Sequence, residues 1–247
     1  SGFPLKKQCI FFQQRHYTKN RISIYDMKKN IFLISFFLMH ACAKAADNSI
    51  KLTLPEAIDL ARTKSVDAVV ARGELTQKYI DKATKFFLDN GFEVKHTNIE
   101  KGYDKEEECE KFEWADYVLF QYPVYWMSVP WIAKKYFDET FTQGRHYSSD
   151  GRSRTDASKL YGSGGLLQGK KYMLSLTYNC PASAFDNKNS LFDGMSLDQA
   201  HVAVHKTFQF CGLKPLETYA VHDIFKGDLD LNAELEKFEK VLAKNFL

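Results

Sequence analysis

Val118-Leu-Phe-Gln-Tyr-Pro-Val-Tyr-Trp-Met-Ser-Val-Pro-Trp131 is the stretch from which the fold is read. Val118 to Tyr122 is a short apolar and aromatic run, the pattern of a strand buried on both faces. Pro123 ends it, because proline has no N–H for a sheet ladder. Tyr125, Trp126 and Met127 then stand where a polar turn is expected. Ser128 is placed to cap a helix that Pro130 begins near its first turn. The order is strand, aromatic turn, helix, and in an open parallel sheet ligands bind at that end of the strand. A flat, hydrogen-bonding ligand such as an isoalloxazine ring suits such a turn, with backbone N–H groups at its polar edge and rings on its plane. From composition alone, plain packing of a hydrophobic loop or a subunit contact is an equal alternative.

Working outward, strands and helices alternate. The periodicity predicts a helix over Glu74–Asn90, an edge strand over Phe92–Ile99 and an acidic helix over Lys105–Trp114. After the helix at Pro130–Thr140 come a strand at Lys171–Thr177, a helix at Ser196–Gly212, a strand at Thr218–Val221 and a closing helix at Ala233–Phe246. Alternation of this kind predicts an α/β fold, a doubly wound parallel sheet with crossover helices. Between Thr142 and Gly169 lies a long polar loop with Tyr161-Gly-Ser-Gly-Gly165; a loop of that length is commonly functional.

The 247 residues are 45% hydrophobic and 26% charged, the profile of a globular protein, with an aromatic content of 15%. Residues 1–30 carry seven Lys or Arg against one Asp, so the rest is close to −3 and no nucleic-acid-binding body is expected. Five cysteines, none in a C-x-x-C pair, argue against a disulfide framework or zinc site. The first 26 residues read as a basic, aperiodic leader. Met27 to Ala45 has the layout of a secretory signal: a charged start, a short apolar centre and a small-residue exit. Leu52–Leu75 resembles the start of TolC-type outer-membrane efflux proteins, with Pro55–Lys64 as a short helix.

Gln121-Tyr-Pro-Val-Tyr-Trp-Met-Ser-Val-Pro-Trp131, Lys159-Leu-Tyr-Gly-Ser-Gly-Gly-Leu-Leu-Gln-Gly-Lys-Lys-Tyr-Met-Leu-Ser-Leu-Thr177 and His205-Lys-Thr-Phe-Gln-Phe-Cys-Gly212 carry a stronger likeness. Together they resemble the modulator of drug activity B family of bacterial NADPH:quinone reductases, relatives of DT-diaphorase, from about Gly73 to the C-terminus. The resemblance implies a flavodoxin-like fold with a five-stranded parallel sheet, a homodimer, and FAD at the strand ends. It implies two-electron reduction of a quinone substrate by NADPH through the flavin, in the cytoplasm. By the same resemblance Pro123, Val124, Tyr125, Trp126 and Met127 form the flavin-ring loop, and Thr177, Tyr178, Asn179 and Cys180 the second flavin loop. Tyr161 matches a flavin-contacting tyrosine, and Gly73 and Leu75 match the end of the loop that cradles the FAD phosphates. Phe185 and Phe192 fall near the catalytic Tyr–His pair of DT-diaphorase and neither donates a proton, so no general acid is named.

The N-terminal end departs from that pattern. The family opens with a central strand and a phosphate loop, whereas residues 1–72 read as a foreign segment joined to a reductase domain at 73–247. Val66–Ala71 and Lys28–Ser35 are the two expected substitutes for the strand. Neither restores the phosphate loop, so weak or absent FAD affinity is expected. The competing readings are a flavin-deficient flavodoxin-like fusion, and an exported protein, with membrane association only if the signal-like segment is used. Other signals are discounted: Gly162–Gly169 precedes a strand, unlike a dinucleotide fingerprint. His201 and His205 lack a third metal ligand and read as a surface or interface pair. Cys180 reads as a small loop residue rather than a redox group. Arg145, Arg152, Arg154 and Lys159 read equally as solvated charges or as ligands for a nucleotide 2′-phosphate.

Overall fold

The computed structural model describes residues 7–13, 54–226 and 229–247. Its centre is a parallel sheet built from β1 (Gln8–Gln13), β2 (Glu93–Asn98), β3 (Tyr117–Pro123), β4 (Lys171–Thr177), β5 (Lys214–Pro215) and β6 (Tyr219–Val221). The strand order is β2-β1-β3-β4-β5, and β6 also pairs with β4. β5 and β6 face successive parts of β4, with the register shifted by one: Tyr172 faces Pro215 and Ser175 faces Tyr219. Three steps along β4 thus match four along the edge, a bulge that breaks one strand position in two. The sheet has the five positions expected.

The central position is filled by an unexpected segment. Gln8–Gln13 pairs with β2 from Gln8–Glu93 to Gln13–Asn98, and with β3 from Cys9–Tyr117 to Phe12–Phe120. This corrects the reading of the leader as foreign throughout. Cys9-Ile-Phe-Phe12 is a four-residue apolar run, enough for a buried strand, but basic neighbours obscure it. Of the two expected substitutes, Val66–Ala71 is helical and Lys28–Ser35 lies outside the described residues. So does the signal-like run from Met27 to Ala45.

Alternating side chains build two cores, one on each face of the sheet. Ile10, Val118, Phe120, Tyr122, Tyr172, Leu174 and Leu176 pack with α2 (Lys105–Trp114), α3 (Trp131–Thr140) and α5 (Val202–Phe210) through Phe112, Tyr136, Phe137 and Phe208. Cys9, Leu119, Met173 and Val221 point the other way, to α1 (Leu54–Asp89) and α6 (Leu231–Phe246). α1 supplies Tyr79, Ala83, Phe86 and Phe87, and α6 supplies Phe238, Leu242 and Phe246, each set one helical face. β3 and β4 are buried along nearly their whole length, as two covered faces require. The body formed by residues 7–13 and 71–247 is one compact unit; residues 54–70 of α1 belong to a second.

Three element boundaries differ from expectation. α1 is continuous from Leu54, so the short helix expected to stop at Lys64 does not stop there. No proline interrupts Glu56–Asp89, and a lone Gly73 costs only about 1 kcal/mol in a helix interior. The helix expected over Ser196–Gly212 is two, α4 (Leu197–Ala200), with a Ser196–Gln199 capping box, and α5, meeting at His201. α3 has Pro130 at its N-cap and no side-chain cap, so Ser128 is not the cap. The Thr142–Gly169 loop closes on itself by bridges from Tyr147 to Gln143 and to Gly165. Its glycines are used for close approach: a methyl on Gly165 would lie 2.3 Å from the Cys211–Gly212 backbone, and one on Gly164 2.1 Å from the Ser149 carbonyl oxygen. No helix among the described residues is long and apolar enough to cross a membrane.

Candidate active site

β3 delivers Pro123 and Val124 to the sheet's C-terminal edge, and Ser128 supplies the reason the chain turns there. Tyr125 N–H donates to the Ser128 carbonyl at 3.0 Å, and Ser128 N–H donates back to Tyr125 at 3.1 Å. Between them Trp126 has φ 47° and Met127 φ 65°. Two successive positive φ values make a type I′ turn, which glycine and asparagine favour and bulky side chains resist. Strain of this kind persists where a site needs it. The turn leaves the N–H groups of Trp126 and Met127 without acceptors among the described residues. It also projects the Trp126 ring, 96% exposed, and Met127 into solvent.

The second loop meets the first through Val124 N–H, which donates to the Thr177 carbonyl at 3.0 Å. From Thr177 the chain passes through buried Tyr178, exposed Asn179 and half-buried Cys180. Tyr178 N–H donates to Val221 at 2.8 Å, and Phe225 N–H donates to Asn179 Oδ1 at 3.2 Å. His222 Nδ1 donates to the Cys180 carbonyl at 2.9 Å, which assigns the ring its Nδ1–H tautomer. The segment after β6 therefore holds the second loop. Burial, then the Asp223 carboxylate, push the Cys180 thiol up, keeping it a thiol; this fits a loop residue and not a redox group.

Beneath both loops lies a layer of rings. Tyr178 stacks on Phe185 at 5.8 Å, and Phe185 on Phe192 at 4.6 Å. The two phenylalanines at the positions of the DT-diaphorase pair thus form an apolar stack. Tyr122 OH and His201 Nδ1 are 3.1 Å apart, while Tyr172 OH meets His205 Nδ1 at 2.7 Å and His205 Nε2 meets Asp198 at 3.3 Å. His201 and His205 are buried, 2% and 6% exposed, so the expectation of a surface or interface pair is corrected: each is bonded into the core by a strand tyrosine. No set of three metal-ligating side chains occurs among the described residues. Burial holds His201 down to about 4 and pushes the Tyr178 hydroxyl up to about 12, so both stay neutral near pH 7.

Three expected contributors lie apart from these loops. Tyr161 is 70% exposed and stands against Phe210 at 5.7 Å, beside Tyr147, in a groove of about 490 Å³. Gly73 and Leu75 lie inside α1, Leu75 against the core beneath it. Helix-interior N–H groups are already bonded four residues back, so these two do not end a phosphate loop. Of the loop cations, Arg145 is committed to Glu106 and Glu113, and Arg152 to Asp150, with Arg152 also over the Tyr161 ring.

The residues present fit a flavin. Gln121 Oε1 and Nε2, Ser175 Oγ and Thr177 Oγ1 are buried without partners at the strand ends beside the turn. Orphans of that kind cost about 1–3 kcal/mol each and are rare unless a site uses them. Gln121, Ser175, His201 and His222 were not expected as site residues. The available signal for the first two was a polar residue inside each of two apolar strands.

A family model described as "Flavodoxin-like fold" matches residues 55–245. NADPH:quinone oxidoreductase MdaB of Haemophilus influenzae is 43% identical over 175 residues, covering 68% of this chain and 91% of that one. Human ribosyldihydronicotinamide dehydrogenase [quinone] is 36% identical over 113 residues, 46% of this chain and 44% of its own. Among solved structures, a putative quinone reductase from Klebsiella pneumoniae superposes with a TM-score of 0.59 at 20% identity, covering 69% of this chain and 79% of that one. General stress protein 14 of Treponema denticola, in complex with FMN, superposes at 0.55 and 15% identity, covering 97% and 98%. At such identities the superpositions speak for the fold alone.

Proposed function

Because the chain belongs to the flavodoxin-like fold family, within the family of NADPH:quinone oxidoreductase MdaB, we propose that it is a flavin-dependent NADPH:quinone oxidoreductase. The observation that carries this reading is the strained Trp126–Met127 turn, tied to the second loop by the Val124–Thr177 bond. A flavin held by these loops would supply two-electron hydride chemistry between NADPH and a quinone. The chain's own part is to hold and orient. Trp126 and Met127 offer apolar contact to a ring plane, and their N–H groups offer donors to a polar edge. Asn179 and Cys180 N–H groups, also without acceptors among the described residues, do the same from the second loop. Phe185 and Phe192 keep that end apolar; neither moves a proton, so the proton that completes the hydroquinone comes from solvent.

FAD is the proposed flavin on the family resemblance, and the T. denticola neighbour with FMN makes the choice one to measure. The cytoplasm is the proposed location because NADPH is an intracellular reductant. A second copy is the proposed cover for Trp131, Leu160 and Tyr161, which are 68%, 69% and 70% exposed. The test is to purify the chain, identify its released flavin by chromatography, and follow NADPH oxidation with menadione. The reading requires one quinone reduced per NADPH and dependence on the flavin. NADPH oxidation that is absent in flavin-loaded protein would overturn it.

A further inference from the structure

At the C-terminal end of the sheet the connections after β4 and β6 stand side by side. The rings of Phe185 and His222 lie 5.7 Å apart, and Phe225 N–H meets Asn179 Oδ1 at 3.2 Å. The connection after β4 ties itself into a closed loop. Asp186 N–H donates to the Met195 carbonyl at 2.9 Å, Gly194 N–H to that of Asn187 at 3.1 Å, and Met195 N–H to that of Phe192 at 2.8 Å. Asp186 and Asp193 hold φ values of 53° and 50°, which a side chain resists and the surrounding bonds impose. These bonds fix which side chains face inward. Phe192 turns in against Phe185, whereas its neighbour Leu191 is 69% exposed and Met195 47% exposed; Phe225, on the adjoining connection, is 40% exposed.

One exposed apolar side chain is ordinary. Three of them, on two connections that meet beside the second loop, form a rim next to the place proposed for the ring, and such a rim asks for an apolar occupant. The charge around it decides which. Residues 185–198 and 221–226 hold four Asp against two Lys. An acidic rim repels an anionic bilayer surface and the phosphates of a nucleotide, and it leaves an uncharged hydrocarbon chain unaffected. We propose that Leu191, Met195 and Phe225 take the isoprenoid tail of a prenylated quinone whose head group lies at the ring. The proposal rests on the quinone reductase reading above and narrows its substrate class to quinones with an apolar tail.

Menadione has no tail, and the same naphthoquinone head can carry one or two isoprenoid units. Reduction of all three by NADPH is followed with flavin-loaded full-length wild type, Leu191→Ser and Met195→Gln. Equilibrium dialysis without NADPH gives the Kd of each quinone, and size-exclusion chromatography the oligomeric state of each protein. A rim that buries the tail predicts KM and Kd on the order of tenfold lower once one isoprenoid unit is present, with kcat unchanged, because the contact is the same in ground and transition states. Each variant should raise KM and Kd for the tailed quinones by about threefold or more and leave menadione as in wild type. The comparison of quinones on wild type keeps the test open if a variant does not fold. Tailed quinones bound no better than menadione, or variants that weaken menadione equally, overturn the proposal and leave the quinone reductase reading in place. A variant whose oligomeric state changes does the same, since a second copy then covers the rim. Failure of flavin-loaded wild type to reduce any of the three overturns both.

Discussion

Trp126 and Met127 hold positive φ values that cost about 1 kcal/mol or more apiece in a residue with a side chain. Their site thus stores strain that a glycine would release. Met127→Gly is expected to stabilise the flavin-free protein by about 1 kcal/mol in urea unfolding, and to weaken flavin binding through the lost side chain. Loss of stability in that variant would mean the turn is held for packing. The reason the pair was legible in the sequence is chemical: two large apolar residues after a strand-ending proline contradict every ordinary turn preference. Gln121 and Ser175 were just as visible as polar breaks in apolar strands. Their meaning depends on register, which places them side by side, and register is not written in either strand alone.

α1 shows what a local reading misses. Gly73-Glu74-Leu75 matched a loop end, yet it sits within a helix running from Leu54 to Asp89. A Cβ on Gly73 would meet nothing within 4 Å, and its φ is not in the left-handed region. Gly73→Ala should therefore raise stability by about 0.5–1 kcal/mol, read by thermal or urea unfolding, with flavin content unchanged. A Gly73 that ended a phosphate loop would instead lose flavin on the same change. β1 was missed for the opposite reason. Its apolar core is only Cys9 to Phe12, and its strand identity comes from β2 and β3 on either side, contacts more than 80 residues away in sequence. β3, β4, α3 and α6 were read correctly because length, periodicity and breakers agreed in each.

At the scale of the whole molecule, two buried imidazoles couple stability to pH. Burial lowers both His146 and His201 to about 4, against about 6.5 in an unfolded chain. Above pH 6.5 both are neutral folded and unfolded, and stability is full. As pH falls from 6.5 to 4 the unfolded chain takes up protons that the folded chain refuses, so stability drops by up to about 3 kcal/mol per histidine. Urea midpoints should be level from about pH 7.5 to 6.5 and fall from there to about pH 4.5. His201→Asn should remove part of that slope while changing the seat of Tyr122 beneath the ring turn. A flat profile would show that these histidines are not held neutral.

The two loops meet at the turn at Trp126 through the Val124–Thr177 bond, so the most direct measurement is flavin binding there. Stripped protein is titrated with FAD, with absorbance giving stoichiometry and fluorescence the affinity, for wild type and Trp126→Ala. The turn as ring platform predicts one flavin per chain and a loss of about fivefold or more on Trp126→Ala, the worth of one aromatic contact. Wild-type protein that binds no flavin, or Trp126→Ala that binds it unchanged, would contradict the account.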